Sequence, residues 1–248
     1  MKNVLVVTPT VGDAFLVDAI NSVKEQSFNG KITHLVVVDG KKHLPKVEEL
    51  IGKVHVGVEV MVVPFNTGHP DYWGHRIFAA VGQLIPHNID YVFFLDDDNT
   101  YEPLHIQSCV DLIKDSEYDF VFSLRNFMDE DGSFIVEDNG HSLGDWTVWP
   151  EWDDEFEHSP LVDTSVYCYK KEFIQKTCHL WYGQFGADRI YFNKVKSFAS
   201  YSCTKKRTVN HRIKYADLEQ RAQIVENIYT ANLRALEKYP DSFPWLQN

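Results

Sequence analysis

The sequence predicts an α/β fold on a mostly parallel central sheet flanked by helices. Three observations carry this expectation: short continuous apolar runs alternate with amphipathic segments, the early runs stop at a proline or an acid, and the run at residues 91–95 ends abruptly in Asp96, Asp97 and Asp98. Such alternation marks strands covered on both faces. Ligands of such sheets gather beyond the carboxyl ends of the strands.

Residues 3–8 form a β-branched run stopped by Pro9, and residues 13–26 place Phe15, Leu16, Ala19, Ile20 and Val23 at helical spacing. The pattern recurs as a strand at 33–38 ending in Asp39-Gly40, a short helix at 47–51, a strand at 58–63 stopped by Pro64, a helix at 72–84 and a strand at 91–95. Residues 8–12, 39–40, 66–68 and 96–98 are therefore expected along one rim. A helix at 104–114 and a strand at 120–124 follow. Residues 125–160, rich in Asp, Glu, Gly and Trp, lack a clean period and read as a hairpin-containing excursion or lid. Beyond it the reading is a strand at 164–169, helices at 171–177 and 187–194, a strand at 197–203 and a long helix at 217–238. In that helix Leu218, Ala222, Val225, Tyr229, Leu233 and Leu236 form one stripe, expected to pack on the domain rather than on a partner or membrane.

The 248 residues suffice for one large domain, and the formal charge of −12 argues against a general nucleic-acid binder, which needs a basic face. Cys109, Cys168, Cys178 and Cys203 form no CxxC pair, fitting reduced thiols in a cytoplasmic protein. The N-terminal run is too short for a signal peptide. No stretch approaches the roughly 20 apolar residues of a membrane span. Peripheral membrane contact through the last helix stays open.

Three adjacent carboxylates repel one another unless a cation, ligand or water shields them. In an extended segment Asp96 and Asp98 would point to the same side and could share a hard cation, Mg²⁺ or Mn²⁺, that completes its shell with water or phosphate. An Asx-turn or helix cap is the alternative. Asp39 could accept hydrogen bonds from a uracil ring or ribose, and Arg76 could hold phosphate or pair with the aspartates. Trp146, Trp149 and Trp152, among acids, suit either a sugar-binding platform or a small subdomain core. Asp163, before a strand, could touch donor sugar or acceptor.

VVTPTVG at the start, VVVDG at 36–40, NTGHPDYWGHR at 66–76 and FFLDDDN at 93–99 together resemble the nucleotide-sugar half of a GT-A fold glycosyltransferase, similar to family 2. The resemblance covers about residues 1–125. It implies one GT-A-like domain over 1–248, with a nucleotide-sugar half at 1–125, an acceptor and catalytic half at 126–216 and a C-terminal helix and tail at 217–248. It further implies that Thr8, Pro9, Thr10 and Asp39 hold the nucleoside, that Arg76 lies near the base or diphosphate, and that Asp96 and Asp98 bind a metal on the diphosphate; Asp97, placed with the donor-binding residues, could face the sugar or merely shape the turn. Asp188, in GQFGADRIYF, matches the segment supplying the catalytic base of an inverting transfer, although Ala187 stands where a second acid is usual and retaining chemistry stays open. His211 matches a C-terminal metal ligand. Lys205, Lys206 and Arg207 either contact phosphate or form a solvated turn.

The expected function is metal-dependent transfer of a sugar, from a UDP-sugar or another nucleotide-diphosphate donor, to a carbohydrate or other hydroxyl-bearing acceptor. One alternative is a haloacid-dehalogenase-like phosphatase using the DDD loop, against which stand the roughly three strands preceding that loop. A nucleotidyltransferase would need a Gly-rich basic loop after the first strand, which TPTVGDAF does not supply. A non-catalytic nucleotide-sugar-binding module is the third.

Overall fold

Four apolar runs build the parallel part of the sheet, each returning through a helical crossover. In the computed structural model, which describes residues 1–54, 57–68, 73–148, 160–184 and 186–247, these are β1 (Lys2–Thr10), β2 (Gly30–Asp39), β3 (Glu59–Val63) and β4 (Tyr91–Phe94). They lie in the order β3-β2-β1-β4, with Thr10 level with Val38 and Val7 level with Phe94. Helices α1 (Leu16–Lys24), α2 (Leu44–Ile51) and α3 (His75–Val81) lie in the crossovers.

The sheet continues as a mixed one. β8 (Tyr167–Lys170) runs antiparallel between β4 and β6 (Phe120–Met128), β9 (Tyr201–Arg212) runs parallel to β6, and the short β5 (Thr100–Tyr101) closes the far edge. β7 (Phe134–Glu137) forms a hairpin with β6, which accounts for the expected excursion up to residue 137. The mostly parallel reading thus describes the first half. One apolar cluster runs from Val4 through Phe93, Phe120 and Tyr167 to Val209, so both halves share a core. Helices α4 (His105–Ile113), α5 (Lys171–Thr177) and α6 (Ala187–Val195) fall where the pattern placed them.

Three expectations are corrected. Thr164 to Val166 is a 3₁₀ turn, because the Asp163 carboxylate accepts the Ser165 N–H at 2.9 Å and caps it; the strand starts at Tyr167. The strand expected at 197–203 is displaced to Tyr201–Arg212, so Lys205, Lys206 and Arg207 lie within it rather than in a turn. Its register against β6 slips around Leu124, and Lys205 has φ +58°, which marks a bulge.

The third correction concerns α7 (Leu218–Lys238), capped by Asp217, whose side chain accepts the Gln220 N–H at 2.9 Å. Its buried residues are Ile228, Ala231, Asn232 and Ala235. Most of the anticipated stripe faces outward instead, with Leu218 78 % and Leu233 61 % exposed, while Val225 alone of it packs against Phe127, Ile213 and Ile228. Small residues win because the backbone comes close: a Cβ on Gly140 would sit 2.6 Å from that of Ala231. Among the described residues no helix is long and apolar enough to cross a membrane.

Candidate active site

The carboxyl ends of the parallel strands deliver the predicted rim. Asp39 ends β2, and Gly40, at φ +106°, turns the chain away in a conformation that suits glycine. Both Asp39 oxygens accept main-chain N–H groups, from Thr67 at 2.7 Å and Gly68 at 2.9 Å. Its carboxylate therefore shapes the loop after β3 and is buried there.

Asp96 to Asp98 form a turn, not an extended segment, since the Asn99 N–H donates to Asp96 O at 3.2 Å. Alternation of side chains does not apply there, and the three acids take three different partners. Asp96 Oδ2 accepts from Ser165 Oγ at 3.1 Å, Asp97 Oδ2 accepts from Thr10 Oγ1 at 2.5 Å, and Asp98 pairs with Lys214 Nζ at 2.8 Å. Burial first, then the charge of Asp98, pushes Asp97 up to about 7. Asp96 is raised well above the usual carboxylate range by burial, then by Asp163 and Asp98.

Behind this turn lies a buried ionic network. Arg125, on β6, donates through Nε to Asp138 at 2.7 Å and through Nη1 to Asp163. Asp138 is fully buried and also accepts the main-chain N–H groups of Gly140, His141 and Ser142, anchoring the loop after β7. His211, at the end of β9, faces this network with Nδ1, 3.2 Å from Arg125 Nη1 and 3.4 Å from Asp163. Burial, then Arg125, lowers its pKa and keeps the ring neutral, the state a metal ligand needs.

Asp188 sits in the first turn of α6, after Gly186 at φ +78°, and its Oδ1 accepts the Arg189 N–H at 2.8 Å. Burial and then the negative charge of Asp163 raise it to about 6. Such a carboxylate is ionised at neutral pH and basic enough to take a proton.

The rest of the predicted set is dispersed. Pro9 packs against the start of α3, where a Cβ on Gly74 would come within 2.6 Å of its ring. Thr8 is corrected: its hydroxyl turns into the core at 2.9 Å from His34 Nε2, leaving no side chain on the rim. Arg76, in the first turn of α3, lies 4.9 Å from the Tyr182 ring centroid. Trp146, half-buried, packs with Leu143, Leu124 and Trp245 in a satellite core, the structural one of its two readings. Trp149 and Trp152 lie outside the described residues. Arg207 is engaged by Glu137, Asp138 and Asn139, while Lys205 and Lys206 are exposed and the Lys205 ammonium donates to the Gln247 carbonyl.

The sequence matches the description Glycosyl transferase family 2 over residues 5–174, more than half of the chain. The chain belongs to glycosyl transferase family 2. Solved structures of S. aureus TarS agree with that fold: TarS 1-349 in complex with UDP-GlcNAc superposes with a TM-score of 0.58 at 12 % identity, covering 96 % of this chain and 65 % of that one. TarS 1-349 in complex with UDP gives 0.55 at 14 %, covering 95 % and 68 %, and the TarS structure without a stated truncation gives 0.58 at 15 %, covering 95 % and 43 %. This chain thus spans just under two thirds of the first of these and under half of the last. No curated protein matches the sequence.

For a family 2 chain, the question is whether these residues fit a divalent cation. Among the described residues no three His, Cys, Asp or Glu side chains stand ready as a cluster. That is compatible with Mg²⁺-type binding, which uses one or two carboxylates and draws its other ligands from phosphate and water. The donor chemistry fits as well: hard carboxylates, with Asp96 destabilised as an anion by its neighbours.

Five participants were not singled out in the sequence. Arg125 was hidden in an apolar strand, Asp138 in the acidic excursion, Ser165 in an ordinary TSV run, and Lys214 lay past the basic segment that drew attention. Asn99 was visible as the last residue of FFLDDDN. It is 1 % exposed, donates to Ser165 Oγ at 3.0 Å and accepts the Arg212 N–H.

Proposed function

We propose that this family 2 chain is a metal-dependent glycosyltransferase that moves a sugar from a uridine diphosphate donor to an acceptor hydroxyl with inversion. The observation that carries this reading is that the buried Asp163, joined to Asp96 through Ser165, acts by its charge both on that turn of acids and on Asp188, whose carboxyl burial raises to about 6. Donor-side and acceptor-side chemistry would occupy those two places.

Asp96, Asp98 and His211 would hold the Mg²⁺ or Mn²⁺ ion, which when bound neutralises charge on the departing diphosphate. Asp98 would turn from Lys214 to do so, leaving the ammonium group to a phosphate oxygen. Asp39 holds the 66–68 loop that would frame the base, Pro9 and Thr10 would line the nucleoside, and Asp97 fixes Thr10. Arg76 would stand near the diphosphate. The Asp188 carboxylate removes the proton of the acceptor hydroxyl as that oxygen bonds to the sugar C1. The C1–O bond to the β-phosphate breaks, and its electron pair leaves with UDP.

The fold of TarS 1-349, solved with UDP-GlcNAc, supports the uridine nucleotide. The test is a screen of UDP-, GDP- and dTDP-sugars scored by nucleotide release, with and without Mn²⁺. UDP release that needs Mn²⁺ and disappears in Asp188→Asn is expected. Equal release after chelation of the metal would remove the metal dependence.

A further inference from the structure

We propose that Asp163 and Ser165 form a positioning frame that sets the separation and orientation of the two metal-side groups Asp96 and His211, an inference that rests on the metal-dependent reading above. Asp163 touches His211 directly and Asp96 through Ser165. Asp163 Oδ2 lies 3.4 Å from His211 Nδ1, a nitrogen that Arg125 Nη1 also approaches at 3.2 Å, while its Oδ1 accepts the Ser165 N–H at 2.9 Å. Ser165 Oγ in turn donates to Asp96 Oδ2 at 3.1 Å and accepts the Asp96 N–H at 3.2 Å. It also accepts from Asn99 Nδ2 at 3.0 Å, so a single hydroxyl fixes the side chain and the main chain of the aspartate turn.

The frame is rigid for a stated reason. Ser165 is fully buried and Asp163 is 6 % exposed, and Arg125 pins the Asp163 carboxylate from behind while Asp138 holds Arg125. With its proton on Nδ1, the tautomer that donates to Asp163, the His211 ring leaves its other nitrogen free to ligate, and carboxylate partners of this kind govern metal affinity by about 10- to 100-fold. Asp163 therefore acts on the ion through its ligands and need not touch substrate, unlike the sugar or acceptor contact its sequence position suggested.

The test is Mn²⁺ affinity in the presence of UDP, read from the loss of the free-ion paramagnetic resonance signal, together with spin-echo modulation from a bound imidazole nitrogen. Ser165→Ala is expected to weaken Mn²⁺ binding about tenfold or more, and Ser165→Thr, which keeps the hydroxyl, to restore it. Asp163→Asn is expected to weaken binding and to change the nitrogen modulation. The alanine variant leaves the buried ion pairs intact, so it carries the test if Asp163→Asn fails to fold. Wild-type affinity in Ser165→Ala overturns the frame. Wild-type protein that retains no Mn²⁺ with UDP present overturns the metal reading, and the frame with it.

Discussion

The main-chain N–H of Arg212 donates to Asn99 Oδ1 at 3.0 Å, fastening the end of β9 to the aspartate turn across 113 residues of sequence. With the Asn99 Nδ2 bond to Ser165 Oγ, this buried amide joins three segments of the site. Replacing Asn99 by Ala strands a buried N–H, which costs about 1–3 kcal/mol. Urea unfolding of Asn99→Ala should show that loss, and an unchanged midpoint would mean that the amide joins nothing of consequence.

Asp188, raised to about 6, gives the reaction a pH signature. As the proposed base it would work only when deprotonated, so kcat/KM should rise as pH increases through about 6 and level off above it. Asp188→Asn should abolish turnover while leaving UDP affinity within about twofold, since its carboxyl is not on the proposed donor side. Flat activity between pH 5 and 7.5 would exclude Asp188 as the base.

Lys214 bridges Asp98 and Asp13, at 2.8 and 2.7 Å. A cation must compete with it for Asp98, so Lys214→Met should bind Mn²⁺ alone several-fold more tightly. The same variant should bind UDP with Mn²⁺ roughly tenfold more weakly, having lost one charge-assisted contact. Calorimetry on the two titrations decides it, and affinities that fall together would show that lysine and metal do not compete.

Trp245 is 1 % exposed and stacks on Phe243 at 4.6 Å, with Trp146 beside it at 5.9 Å. Trp245→Ala should cost about 3–5 kcal/mol. Trp146→Ala, at a half-buried position, should cost less and leave acceptor KM unchanged. A raised KM at wild-type stability would return Trp146 to the acceptor site.

The parallel half was legible because its strands are apolar on both faces and end in or beside residues with turn chemistry, such as Asp39 and Pro64, although β1 runs on through Pro9 to Thr10. Charge composition misled the reading of β9, where Lys205 to Arg207 resemble a surface turn. The segment is a bulge in a strand held at both ends, by β6 at Tyr201 to Cys203 and again from Arg207, and by β5 at Val209 and Asn210, and that pairing outweighs local propensity. The acids of the site were visible one by one, but the buried cation between Asp138 and Asp163 was not, because a lone arginine after VFSL carries no pattern. Face assignment on α7 failed for a related reason: periodicity ranks faces by apolar size, whereas a close approach selects Ala231 and Ala235. Leu233→Ser should accordingly stay within about 0.5 kcal/mol of wild type and Ala235→Glu should be strongly destabilised, readable in the same melts.

The bulge in β9 acts as a spacer that decides which side chain meets Arg125 and Asp163, where the metal is proposed to bind. Between Phe122 and Arg125, three steps along β6 are matched by six along β9, from Cys203 to Val209. The surplus is odd, so it exchanges the two faces of everything downstream and brings His211 level with Phe127, their rings 5.6 Å apart. Removing one residue from 204–206 would bring Arg212 to that place and a histidine to the opposite face. The length of the lysine-bearing segment is thus under tighter constraint than its charge, and neutral replacements of Lys205 or Lys206 should be tolerated where a single deletion is not.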